Sequence, residues 1–443
     1  MSSARRAERV ARRARPTVGR TPHLRAHHHR RRLIARRPAA AVALLAVLGP
    51  GLLAGLSDDD PAGITTYSIL GAEHGYRLLW VLALSTAALV LFHELAARTG
   101  VVTGKGLVAL VRERYGSRPA GVAVAALVIA NVGTLAAELA GVAIGAQLLF
   151  GAPRGVAVLS GAVVVGALVL GASFHRVEHV LLALSSVFVA YIAAGLLAGP
   201  DWGAAATGLV LPRIPAGRDA ILLCVATLGT TLAPWGLAFM QSYAVDKRLT
   251  VADLRYERID VATGAVLTGV IGAFIVIACA ATLRPAGISI DDGAEAAQAL
   301  EPVAGSLAST LFAVGFLGAA LLAAAIVPLS TAYSVCEAAG RPAGLHLGLR
   351  RAPLFYGAFV TAMAIATTIV LVPSVPLVAV LYLTQALNAV LLLAILPFMR
   401  ALASDPDVMG EQRLTRFGRL ATGLTIAVIA VACVTLLSLT IVG

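Results

Sequence analysis

In a chain of 443 residues, 59% are hydrophobic and only 13% charged, with a mean hydropathy of +0.87. That excludes a water-soluble globular protein and indicates an all-α polytopic membrane protein. The formal net charge of +12 suggests nucleic acid, but thirteen arginines and one glutamate in the first forty residues account for it and the remainder is neutral. No nucleic-acid surface is expected. The cysteines at 224, 279, 336 and 433 stand singly, without metal or disulfide spacing.

Residues 1–40 have no apolar periodicity and are expected to be a disordered basic tail that can lie on anionic lipid headgroups. A secretory signal is disfavoured, because the apolar run from 41 continues into an acidic cluster without a small-residue cleavage site. Eleven transmembrane helices are predicted, at about 41–72, 77–97, 120–150, 155–172, 178–199, 219–245, 260–283, 306–336, 354–372, 375–399 and 419–442. With the amino terminus in the cytoplasm, only Arg77, Arg154, Arg213, Arg218 and Arg284 fall outside, so the positive-inside rule puts the carboxyl terminus outside the plasma membrane.

The first span is interrupted by Asp58, Asp59, Asp60, Pro61, Ala62 and Gly63. Each Asp at mid-bilayer costs about 2.5–3.5 kcal/mol, and Pro61 removes a backbone donor, so this stretch must line a polar cavity or be buried in protein. His93 and Glu94 near the end of the second span read as interfacial anchors, followed by a basic loop over 98–118. In the third span Asn131, Thr134 and Glu138 share one helical face, and Glu138 is deep enough to need a partner. A polar joint at 173–179 follows the fourth span, and Gly199 to Trp202 read as the stop of the fifth.

The sixth span repeats the anomaly. Ala233-Pro234-Trp235-Gly236 matches Asp60-Pro61-Ala62-Gly63 as x-Pro-x-Gly, with an odd number of helices between the two. The second copy therefore enters the membrane from the opposite side, as in a 5+5 inverted repeat with helices 1 and 6 broken near the midplane. The expected division is 1–40 tail, 41–218 first repeat, 219–402 second repeat, and 403–443 a loop with the eleventh helix. Backbone oxygens freed at the breaks, with the carboxylate of Asp60, make a net negative site for a cation. The acidic loop after the seventh span reads as a solvated outer face. Gln385 and Asn388 share a face of the tenth span and offer amide oxygens.

These residues resemble the natural resistance-associated macrophage protein (NRAMP) divalent-metal transporters, and more closely their NRAMP-related magnesium transporter branch. The likeness is carried by Gly49-Pro-Gly51, Asp60-Pro61, Thr103-Gly104, Ala137-Glu138, Glu178, Pro200-Asp-Trp202 and Leu396-Pro-Phe398. It implies an amino-acid/sodium-symporter (LeuT) type fold and alternating access. It also implies transported Mg2+ and Mn2+ as substrate, with no cofactor and no enzymatic reaction.

Two departures carry chemistry. Gly63 stands where the family has a metal-ligating Asn, and Ala233-Pro234-Trp235 replaces Met-Pro-His, so a soft thioether and an imidazole are both absent. An oxygen-only, roomier site suits a hard, partly hydrated ion, and loss of the His argues against proton coupling. The expected metal-site residues are Asp60 as principal charge, Ala62, Gly63 and Ala233 for backbone oxygen and space, and Asp59, Glu138, Gln241 and Gln385 around them. Alternatives are a proton-coupled Mn2+/Fe2+ transporter, an amino-acid carrier of the same fold, and a metal-binding membrane receptor. An intramembrane aspartyl hydrolase is disfavoured because the three aspartates are contiguous.

Overall fold

The computed structural model describes residues 59–171, 186–291, 293–301, 305–345 and 347–442. The expected tail, the first half of the first span with Asp58, the joint at 173–179 with Glu178, and Asp292 lie outside the described residues. Within them the chain is helical, and no strand occurs.

Helix α1 (Pro61–His74) begins where it does because Asp60 has an extended backbone and caps it, while Pro61 at the first helical position has no N–H to satisfy. A 3-10 turn, Gly75–Leu78, leads into α2 (Leu79–Thr103). The expected basic loop over 98–118 is not a loop. Arg98 lies inside α2, and 107–115 form a short helix, α3 (Leu107–Tyr115), that buries Leu107, Val108, Leu110 and Val111. That i, i+1, i+3, i+4 pattern is an amphipathic signature too brief to stand out among charged neighbours.

Next come α4 (Ser117–Phe150), α5 (Arg154–Leu170), α6 (Ala190–Leu197) and α7 (Trp202–Val210). Helix α7 is a second departure, since the fifth span was expected simply to stop at Trp202; Asp201 caps it, accepting from the Ala204 amide at 2.9 Å. The sixth span is broken as expected, into α8 (Arg218–Thr231) and α9 (Pro234–Asp246). The remaining main helices are α10 (Leu254–Ala286), α11 (Gly293–Gln298), α12 (Ala308–Ala339), α13 (Pro353–Leu371), α14 (Leu377–Leu392), α15 (Leu396–Ser404), α16 (Pro406–Met409) and α17 (Arg416–Val442). Each of the eleven expected spans has a helical counterpart, the first and fifth only in part among the described residues.

Burial separates an inner layer from an outer one. The most apolar window of the α8–α9 run is 89% buried and that of α17 is 11% buried, so the broken helix is central and α17 is peripheral, with an apolar surface turned outward. Helix α4 packs along α12, α8 along α14, and α1 against α10, which places the start of α1 and the break between α8 and α9 in the interior. On one face, Arg154 at the start of α5 closes the carboxyl end of α13, donating to the carbonyls of Val370 (2.7 Å), Val372 (3.1 Å) and Val375 (3.0 Å). Near the opposite end of α2, Glu94 pairs with Arg98 (3.2 Å) and Arg258 (2.8 Å), a structural ion-pair role in keeping with anchoring.

Candidate metal site at the helix breaks

The starts of α1 and α9 are built alike and finished differently. Both second half-helices start on a proline, but the Asp60 carboxylate accepts from the Gly63 amide at 2.6 Å, whereas Ala233 has no side chain to cap α9. The Ala233 carbonyl instead accepts from the Gly236 and Leu237 amides, at 3.1 and 3.4 Å. The Ala62 carbonyl accepts the Thr66 hydroxyl at 2.7 Å. The backbone groups expected to offer oxygen at Ala62, Gly63 and Ala233 thus also take part in the first turns after each proline. Gly63 acts as an amide donor, and the carbonyls of Ala62 and Ala233 are engaged in the first turns that follow each proline.

Glu138 comes to Asp60 from α4. It is fully buried, and neither of its oxygens has a hydrogen-bond partner. The carboxyl groups of Glu138 and Asp60 interact with each other, and two buried carboxyls brought together need either a shared proton or a cation between them. Among the described residues no Lys, Arg or His pairs with Asp59, Asp60 or Glu138, and the Asp59 oxygens are buried without a partner. Uncompensated carboxylates in a low-dielectric interior are costly enough that these groups must take up a proton or a cation.

A glycine fixes the approach. One turn beyond Glu138, a Cβ on Gly141 would fall 2.6 Å from both Cβ and Cγ of Pro61, so α4 can lie directly against the first break only because this position is bare. Hydroxyls tie the second break to the same framework. Thr231, the last residue of α8, lies 3.0 Å from the Tyr67 hydroxyl of α1 and accepts from Ser85 of α2 at 3.1 Å. Sequence reasoning missed Tyr67 and Ser85, because single hydroxyls in apolar helices carry no pattern.

The structure sorts the remaining expected residues. Gln385 reaches the site indirectly: its side-chain oxygen accepts from Asn388 at 2.8 Å, and Asn388 donates to Thr134 at 2.9 Å, one turn before Glu138. Gln241 does not belong to the site. It lies eight residues past Ala233, about 12 Å along α9, and donates to the Lys105 carbonyl at 3.0 Å. No three His, Cys, Asp or Glu side chains among the described residues form a metal-ligand group. The arrangement therefore supplies two neighbouring buried carboxyls, with Asp59 adjacent. Trp235, which stands where the resembled family has an imidazole, buries an indole N–H that cannot ligate a cation.

Comparison with known proteins agrees with this architecture. A divalent metal cation transporter MntH of Verminephrobacter eiseniae is 31% identical over 293 residues, 63% of this chain and 66% of that protein. The MntH of Bacillus subtilis is 30% identical over 300 residues, 65% of this chain and 69% of that protein. The matched region thus spans about two thirds of the length of these relatives. A manganese transporter of Eremococcus coleocola superposes with a TM-score of 0.72 at 20% identity, covering 91% of this chain and 89% of that one. MhsT in complex with L-phenylalanine superposes with a TM-score of 0.58 at 15% identity, over 88% of this chain and 98% of that one. At these identities the structural likeness concerns the fold, which is of the LeuT type. The natural resistance-associated macrophage protein-like family model matches residues 51–439, and the chain belongs to the Nramp family.

Proposed function

We propose that this chain carries divalent cations, Mg2+ and Mn2+, across the plasma membrane, with the amino terminus in the cytoplasm, the carboxyl terminus outside, and residues 41–218 and 219–402 as the two repeats. The observation that carries this reading is the buried Asp60 and Glu138 carboxyl pair with no cationic side chain among the described residues to neutralise it. A divalent ion between them would remove two uncompensated charges at once. The names of the relatives, divalent metal cation transporter and manganese transporter, support the substrate class.

The ion preference follows from what is absent. Without sulfur or imidazole beside the break, the donors are oxygen and water, which suits Mg2+ with part of its hydration shell and admits Mn2+. We propose that the membrane potential drives uptake without protons, since Trp235 stands where an imidazole would relay them. A second reading has a specific observation in its favour: two facing carboxyls hold a shared proton when empty, and an arriving cation would displace it.

One experiment separates them. Fluxes of Mg2+, Mn2+, Ca2+ and Zn2+ into proteoliposomes are measured with an internal pH indicator under an imposed potential. Potential-dependent Mg2+ and Mn2+ entry with no pH change supports uncoupled transport. Proton movement in proportion to metal supports the second reading, and absence of any metal flux removes both.

A further inference from the structure

The inner half of the broken helix, α9, ends in a second polar cluster remote from Asp60, and one carboxylate organises it. Glu337, near the end of α12, accepts from the Ser242 hydroxyl of α9 at 2.7 Å and from the backbone amides of Val108 and Ala109 at 3.0 and 3.4 Å. Those amides open α3, whose own N-cap residue, Gly106, has no side chain to offer. Glu337 thus caps α3 from another helix while holding α9 through Ser242.

Gly106 shows that the geometry is built for this carboxylate. Its backbone (φ −73°, ψ 168°) suits any residue, so conformation does not call for glycine. A Cβ there would lie 1.7 Å from a Glu337 carboxyl oxygen. The missing side chain leaves space for the carboxylate.

The two sides of the contact differ in how they are anchored. Helix α3 is fixed to its surroundings: Arg112 donates to the Ala338 carbonyl at 3.3 Å, Arg114 pairs with Asp405 at 2.9 Å, and the Tyr115 and Phe398 rings meet at 5.7 Å. Helix α9 is joined to α8 only through the break at 232–233, and reaches the same platform through Ser242, through Gln241 on the Lys105 carbonyl, and through Asp246, which accepts from Tyr333 at 3.0 Å. A cavity of about 430 Å³ lined by Ser242, Tyr333, Cys336 and Glu337 lies over the contact.

We propose that Glu337 and Ser242 form a latch at the α3 end of the fold: α3 and α12 are the fixed strike plate, and α9 swings away from them when the site opens to that end. Glu337 is a positioning residue in this role and does not touch the ion. The latch rests on the transport reading for its purpose, while its mechanical test needs no particular ion.

Cys336, beside Glu337, is buried and lines the cavity, which makes it a native reporter. In full-length protein with Cys224, Cys279 and Cys433 changed to Ala, its modification by a membrane-impermeant maleimide is timed. A second background, with all four native cysteines replaced, carries Asp219→Cys, in the 290 Å³ cavity at the opposite end of the fold. Losing a charge-assisted hydrogen bond changes an equilibrium by roughly tenfold or more. Ser242→Ala, Gly106→Ala and Glu337→Gln should therefore speed Cys336 labelling about tenfold and slow labelling at 219, with Ser242→Thr restoring the slow rate at 336. Unchanged rates in Ser242→Ala, which deletes only a hydroxyl, overturn the latch. So does faster labelling at both positions, which would signify general loosening. Altered labelling with no metal flux would retain the latch and reject the transport reading.

Discussion

Gly141→Ala is the smallest change that should disable the site without touching a polar group. The added methyl would sit 2.6 Å from two carbons of Pro61. Carbon pairs settle at about 3.5–4.0 Å, so α4 and the first break must part by about 1 Å. Asp60 precedes Pro61 directly, and Glu138 is one turn from position 141, so the carboxyl pair opens by a similar amount. Metal–oxygen bonds to Mg2+ are held near 2.0–2.1 Å and tolerate little stretching, so about 1 Å removes one carboxylate from the ion. Stability should change far less. Overpacking costs about 1–3 kcal/mol, offset by about 1 kcal/mol from replacing a mid-helix glycine with alanine. Concentration-dependent Mg2+ uptake into proteoliposomes, with thermal unfolding of the same preparation, should show flux reduced about tenfold or more, since misplacement by 1 Å can cost about a hundredfold, and a midpoint lowered by only a few degrees. Wild-type affinity and flux in a well-folded Gly141→Ala protein would refute the claim that this close approach sets the distance between the carboxyls.

Two further outcomes follow from the second break. Thr231→Val keeps shape but deletes the hydroxyl shared by Tyr67 and Ser85, and should lower stability by about 1–3 kcal/mol in denaturant unfolding; a change within error would show that the network is incidental. Ala233→Met returns a thioether to the first residue of the α9 cap and should move preference towards Mn2+ or Cd2+ over Mg2+, read by competition for uptake. An unchanged ion order would mean that position 233 does not face the ion.

Much of the fold was legible because bilayer-length apolar runs and proline breaks are coarse, local signals. The x-Pro-x-Gly pair located the second break where the structure has it, at 232–233, and placed Asp60 immediately before the half-helix it caps. Glu138 was legible for a physical reason as well, since a carboxylate deep in an apolar helix demands a counter-charge. What sequence could not supply was the direction in which backbone groups point. Gly63 and Ala62 were expected to present oxygens; the structure adds that the Gly63 amide donates to Asp60 and that the Ala62 carbonyl accepts the Thr66 hydroxyl. Gln241, expected among the surrounding groups, lies eight positions from the break and donates to the Lys105 carbonyl, a long-range partner that sequence does not reveal. Helix α3 was missed because its four apolar residues span little more than one turn. The contact it makes with Glu337, 229 residues away, has no local signature at all.

The central claim is that Asp60, facing Glu138, supplies the principal charge that holds a divalent cation at the first break. Its most direct test is Mg2+ and Mn2+ uptake into proteoliposomes by the wild-type chain and by Asp60→Ala, matched for reconstituted protein and for thermal unfolding. The account predicts that Asp60→Ala loses uptake of both ions while remaining folded; equal fluxes from the two proteins would contradict it.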